Sequence, residues 1–128
     1  MVTEDYVSFE TAKLLKEKGF DEYCGYYDRN GEYWDYRVYN HRGEDYISAP
    51  TLQMAMKWLR EVQNLVVNPA GHYVNGKLQS WEVDIYFLDC GVDATINAMG
   101  HIYGKTYECA CENGIKYCLE NLVAKIRI

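Results

Sequence analysis

The most constraining feature of the chain is an aromatic run that contains the pair Asn30-Gly31. Seven tyrosines and one tryptophan lie between Tyr23 and Tyr46. Asn-Gly is favoured in type I′ turns because both central residues of that turn require a positive φ. The run therefore predicts an antiparallel β-hairpin whose strands are rich in aromatic side chains.

The predicted turn also determines which side chains share a face of the hairpin. With a two-residue loop at Asn30-Gly31, Tyr27 pairs with Trp34, and Gly25 lies beneath Tyr36. The side predicted to face the core consists of Tyr27, Trp34, Tyr36 and Val38. The opposite side, predicted to be exposed or to contact a partner, consists of Tyr26, Tyr33, Asp35, Arg37 and Tyr39. A four-residue loop, Asp28–Gly31, would keep these faces, whereas a one-residue slip would exchange them.

Three helices are predicted outside this hairpin. Ser8 and Thr106 are suitable N-caps for the first and third helices. The second begins within Ser48-Ala49-Pro50-Thr51, with the proline in its first turn, and continues with apolar residues at helical spacing. A second Asn-Gly pair, Asn75-Gly76, predicts another hairpin, whose return strand runs from Lys77 to Leu88.

The predicted order of elements is αββαββ(β)α, where the bracketed strand contains Val92, Ala94 and Ile96. We expect an α+β fold in a single domain, residues 1–128, with an antiparallel sheet of four to five strands and three helices packed mainly on one face.

The amino-acid composition limits the classes of molecule that the protein is expected to bind. The formal net charge of −6 argues against sequence-independent binding of nucleic acid, which needs a basic face, but it is compatible with a basic protein partner. No apolar run approaches the length of a membrane span, and the first residues lack the hydrophobic core of a signal peptide. We therefore expect a cytoplasmic protein that does not bind membranes.

No residue pattern predicts catalysis, a metal site or a cofactor. The five cysteines are odd in number and lack the spacing of a disulfide scaffold or a zinc site, which favours reduced thiols packed as small apolar groups. The three histidines fall in predicted turns or strand ends, without a neighbouring nucleophile and orienting group. The sequence thus favours a non-enzymatic protein.

Segments 8–20, 48–62 and 115–122 resemble small uncharacterised proteins encoded in gut Bacteroidetes genomes and their phages or integrated elements. These segments cover all three predicted helices. The resemblance implies an accessory protein of a mobile element, and it implies no activity, substrate or catalytic residue.

The main functional hypothesis is therefore protein–protein interaction, including homodimerisation, through the predicted exposed side of the aromatic hairpin. An alternative is a small-molecule or nucleotide-binding domain with a cleft near the 89–104 loop, lined by Cys90, His101 and Tyr103. A further alternative is an acidic DNA-mimic inhibitor, which the net negative charge would suit.

Overall fold

The computed structural model describes residues 4–89 and 102–123. The helices are α1 (Phe9–Glu17), α2 (Leu52–Val62) and α3 (Tyr107–Asn121). The strands are β1 (Cys24–Tyr27), β2 (Tyr33–Val38), β3 (Ile47–Ser48), β4 (Leu65–Val74), β5 (Lys77–Phe87) and β6 (Tyr103–Gly104). A single 3₁₀ turn, Asn40–Arg42, links β2 to β3.

The α+β class with three helices is confirmed. The described strands form two three-stranded antiparallel sheets, in the orders β2-β1-β3 and β4-β5-β6. Six strands exceed the predicted four to five, because the two-residue segments β3 and β6 each pair with a longer strand. The strand predicted around Val92–Ile96 lies outside the described residues.

Each helix begins after a capping side chain. The hydroxyl oxygens of Ser8, Thr51 and Thr106 accept a hydrogen bond from the backbone N–H three residues later. This pairing satisfies an N–H that has no partner within the helix. The second helix starts at Leu52, just after Pro50, so the proline precedes the helix rather than lying in its first turn.

The core lies where the helices meet the sheets. Its members include Leu15 of α1, Leu59 of α2 and Ile115 of α3, all fully buried. Helix α3 approaches the second sheet closely at Gly114, where a Cβ atom would lie 2.7 Å from Val67 Cγ1. Burial of these apolar surfaces is the dominant force that stabilises the arrangement.

The two predicted Asn-Gly turns have different structures. Asn75 and Gly76 both have positive φ, and Val74 pairs with Lys77, which confirms the two-residue turn. In the first hairpin only Gly31 has a positive φ, and the Asp28 carbonyl accepts from the Gly31 N–H. The loop is therefore three residues long, a type in which a turn is followed by a left-handed glycine.

The longer loop slips the first hairpin by one residue, so the predicted register is wrong. Tyr27 pairs with Tyr33, and Tyr26 pairs with Trp34. Consequently Trp34 is 48% exposed and Tyr36 is 69% exposed, and their predicted place in the core is wrong.

For the other two predicted core residues, Tyr27 and Val38, the predicted burial is observed. Tyr27 is partly buried against the core, and Val38 is buried, as expected. The register with β1 shifts between the Tyr26–Trp34 and Cys24–Val38 pairs, and Val38 lies opposite the buried Cys24.

None of the helices in residues 4–89 and 102–123 combines the length and the apolar character needed to cross a membrane.

Candidate interaction site on the aromatic hairpin

The first face of the hairpin carries an aromatic cluster, here called the outer aromatic face, formed by the exposed Trp34 and Tyr36 and the half-buried Tyr26 and Tyr46. The Trp34 and Tyr26 rings are nearly parallel, with their centroids 6.4 Å apart. Tyr46 contacts the Tyr26 ring edge-on at 5.0 Å. Such offset and edge-on contacts are the favoured geometries of aromatic pairs. Burial raises the pKa of Tyr26 above its ordinary value, and Tyr46, Asp28 and Tyr36 add to the increase.

Asp28 orients this face from the hairpin loop. Its carboxylate accepts hydrogen bonds from Trp34 Nε1 at 2.9 Å, from the Asn30 N–H at 2.8 Å and from the Glu32 N–H at 3.1 Å. The two backbone bonds stabilise the three-residue loop and so explain the slip in register. The Trp34 indole and the backbone N–H of Glu32 lower the pKa of Asp28 below its ordinary value.

This pKa shift predicts an acid-sensitive tryptophan. Because the folded state favours the ionised carboxylate, its contribution is complete above the ordinary aspartate pKa of about 3.9 and is lost as the pH falls through the lower folded-state value. We expect the indole N–H resonance of Trp34 to shift in NMR spectra below about pH 3.9.

The matched variant Asp28→Asn should abolish this titration. The indole N–H of Trp81 serves as an internal control within the same spectra. A Trp34 resonance that titrates above the ordinary aspartate value, or one that titrates unchanged in Asp28→Asn, would contradict the assignment.

The opposite face of the hairpin contains a concave site of about 210 Å³, here called the tyrosine cleft. Its floor is small and largely apolar, formed by Cys24, Gly25, Ala49 and Pro50. Its walls are Tyr6, Tyr23, Tyr33, Thr51 and Met54. Its charged groups are Glu4, Asp35 and Arg37. The cleft thus combines an apolar floor with a polar rim, a combination typical of sites that receive a side chain.

Tyr33 is the central wall of the cleft. Its ring lies over Gly25, since a Cβ atom there would be only 2.5 Å from Tyr33 Oη. Tyr33 therefore covers Gly25, and the prediction that Tyr36 covers it is wrong. The ring of Tyr6 lies 4.8 Å from that of Tyr33, and Tyr33 Oη donates to the Asp35 carboxylate at 3.4 Å. Burial, together with Tyr6 and Asp35, raises the pKa of Tyr33 far above its ordinary value, so this phenol remains neutral.

The structure brings together only part of the predicted interface. Tyr33, Asp35 and Arg37 meet in the tyrosine cleft, whereas Tyr26 belongs to the outer aromatic face. Tyr39 contacts the ring of the cleft residue Tyr23 at 5.2 Å.

Sequence reasoning placed only Tyr33, Asp35 and Arg37 of the cleft in the predicted interface, and it missed the other members, among them Glu4 and Tyr6. Tyr6 reaches the cleft through a β-bridge to Thr51, a contact between distant parts of the chain that no local pattern indicates.

Two of the three residues predicted to line the alternative site near the 89–104 loop, Cys90 and His101, lie outside the described residues. Tyr103 is exposed and borders a shallow depression of about 290 Å³ with Asn113 and Lys116. No group of His, Cys, Asp and Glu within residues 4–89 and 102–123 could hold a metal ion.

Three described cysteines are buried, namely Cys24, Cys111 and Cys118. Burial raises the pKa of each thiol, and that of Cys118 to about 12. These thiols are protonated at neutral pH and are poor nucleophiles, because the thiolate is the reactive form. Their role in the described structure is packing.

No protein-family model, curated protein or solved structure matches this chain.

Proposed function

We propose that this protein is a non-enzymatic interaction domain that binds a protein partner through the aromatic hairpin. The observation that carries the proposal is the concentration of exposed large aromatic side chains on one edge strand and its neighbours. They are Tyr6, Tyr23, Tyr33, Trp34, Tyr36 and Tyr39. Tyrosine and tryptophan are enriched in protein interfaces, where they provide large contact areas at low cost in conformational entropy.

The charges of the hairpin favour a protein partner over nucleic acid. Between Tyr23 and Tyr46 the chain has five acidic and three basic residues. Exposed rings also stack on nucleobases, but such sites need a cationic groove to hold the phosphates. The proposal is therefore of an accessory protein that acts by contact in the cytoplasm, in keeping with the mobile-element proteins that its helical segments resemble.

Affinity capture with matched variants tests the proposal. The double variant Trp34→Ser, Tyr36→Ser removes two exposed rings of the outer aromatic face. Tyr103→Ser removes a ring of similar exposure, 58%, from outside the hairpin. We expect proteins captured from the encoding cell by the natural chain to be depleted about tenfold or more with the double variant, and to be retained with Tyr103→Ser.

Quantitative mass spectrometry measures the depletion, and thermal unfolding verifies that all three proteins are folded. If the double variant captures the same proteins in the same amounts as the natural chain, the outer aromatic face is not the surface that binds them and the proposal fails for that face.

A further inference from the structure

The second hairpin ends in an exposed apolar segment, here called the ribbon tip, residues 72–79. Every residue of the ribbon tip is exposed. Tyr73 is 62% exposed and Leu78 is 47% exposed, and Val74 is exposed beside them. A two-stranded ribbon with no covered face is only marginally stable in water. Apolar side chains in such a position favour a partner that covers them.

The ribbon tip presents its apolar groups in a fixed arrangement. Tyr73 pairs with Leu78 across the ribbon, and both side chains lie over Gly71, where a Cβ atom would be 3.1 Å from each. The Asn75-Gly76 turn holds Val74 opposite Lys77 at the end of the hairpin. The Tyr73–Leu78 pair therefore forms an apolar patch on one face of the ribbon, and Val74 with the Lys77 ammonium group lies on the opposite face, because adjacent side chains of a strand alternate.

Charge distinguishes the ribbon tip from the rest of the chain. Lys77 is the only Asp, Glu, Lys or Arg between Leu65 and Trp81, although the whole chain has a net charge of −6. The tyrosine cleft is complementary to the ribbon tip in charge and in polarity. Its rim has the carboxylates of Glu4 and Asp35 against one guanidinium, and its floor is apolar. Opposite charges placed across an interface steer association and set its register.

We propose that the occupant of the tyrosine cleft is the ribbon tip of a second copy of this chain. The tip enters the cleft end-on, so that Leu78 on one face of the ribbon and Val74 on the other contact the apolar floor, and Lys77, on the face of Val74, lies beside the carboxylates of Glu4 and Asp35. The inference rests on the proposed function, because it uses one face of the aromatic hairpin and names the partner for that face. Each protomer has one tip and one cleft, so a reciprocal exchange closes as a twofold dimer.

Two variants separate the two halves of this contact. Leu78→Glu places a carboxylate in the ribbon tip and leaves the cleft unchanged. Asp35→Lys reverses a charge in the cleft and leaves the ribbon tip unchanged. Leu88→Glu is the matched control, because Leu88 is 51% exposed and belongs to neither surface. Val74→Glu and Glu4→Lys repeat both tests at second positions, and thermal unfolding verifies that each protein is folded.

Light scattering coupled to size exclusion measures the mass of each protein. We expect the natural chain and Leu88→Glu to be dimers. Leu78→Glu and Asp35→Lys, each alone, should dimerise about tenfold or more weakly. An equimolar mixture of these two variants should recover a heterodimer, because the intact cleft of the first meets the intact tip of the second.

Several outcomes would overturn the inference. A natural chain that is monomeric at every concentration removes the second copy as the occupant. If Asp35→Lys alone dimerises normally, the tyrosine cleft is not the site that the second copy occupies. If Leu78→Glu alone dimerises normally, the ribbon tip is not involved. If the equimolar mixture of the two variants stays monomeric, the cleft of one protomer does not bind the ribbon tip of the other.

These failures are distinct from failure of the proposed function. A monomeric natural chain that still loses its captured proteins on Trp34→Ser, Tyr36→Ser overturns only the dimer. A dimer whose captured proteins are unaffected by those two substitutions overturns only the hairpin as the surface for other partners.

Discussion

Replacement of Asn40 by alanine is expected to lower the free energy of unfolding by about 3 kcal/mol, because it leaves two buried backbone groups without partners. Asn40 is buried within the 3₁₀ turn. Its Nδ2 donates to the Phe20 carbonyl at 2.5 Å, and its Oδ1 accepts from the Ser48 N–H at 2.7 Å. One side chain thus connects the segment after α1 to strand β3.

The effect should be measured by urea denaturation of the natural chain and of Asn40→Ala. Asn68→Ala is the matched control, since Asn68 is exposed on β4 and its loss should change stability by about 0.5 kcal/mol or less. A loss below about 1 kcal/mol in Asn40→Ala would show that water replaces both hydrogen bonds.

A second large effect is expected at Gly104, where Gly104→Ala should destabilise the fold by about 3 kcal/mol through overpacking. A Cβ atom at this position would lie 2.4 Å from the Ala110 backbone nitrogen and 2.8 Å from the Cys109 carbonyl carbon. These are main-chain atoms of α3, so no side-chain rotation can relieve the contact. Either β6 or the start of α3 must move.

Lys105→Ala is the control for this substitution, because Lys105 is exposed and adjacent. Thermal unfolding should show a lower midpoint for Gly104→Ala and an unchanged midpoint for Lys105→Ala. Equal midpoints for Gly104→Ala and the natural chain would mean that α3 and β6 separate at no cost, contrary to the close packing described.

The helices could be predicted because their signals are local. Each helix starts after a hydroxyl side chain, that of Ser8, Thr51 or Thr106, which accepts a hydrogen bond from the backbone N–H three residues later. Apolar residues then recur at helical spacing after each cap. The Asn75-Gly76 turn was predictable for the same reason, since two adjacent residues satisfy its φ requirements. At Asn30-Gly31 the same dipeptide formed a different turn, because the Asp28 carboxylate binds the Asn30 and Glu32 N–H groups.

The candidate site was only partly predictable. Alternation along β2 placed Tyr33, Asp35 and Arg37 on one side, and that grouping is independent of the register with β1. Which side of β2 would be covered depends on pairing, and the one-residue slip left Trp34 and Tyr36 exposed. The other cleft residues come from the start of β1, from the N-terminal segment, and from α2 with the three residues before it, and the last two groups are far away in sequence.

The sequence by itself determined the elements that depend on neighbours along the chain, which are the three capped helices, the two hairpins and the sets of side chains that share a strand face. Only the tertiary structure decided the hairpin register, the separation into two sheets and the residues that enclose the tyrosine cleft. The physical reason is the distance along the chain over which each interaction acts. Capping and alternation act over a few residues, whereas the cleft is closed by the pairing of Tyr6 with Thr51, which depends on packing of the whole core.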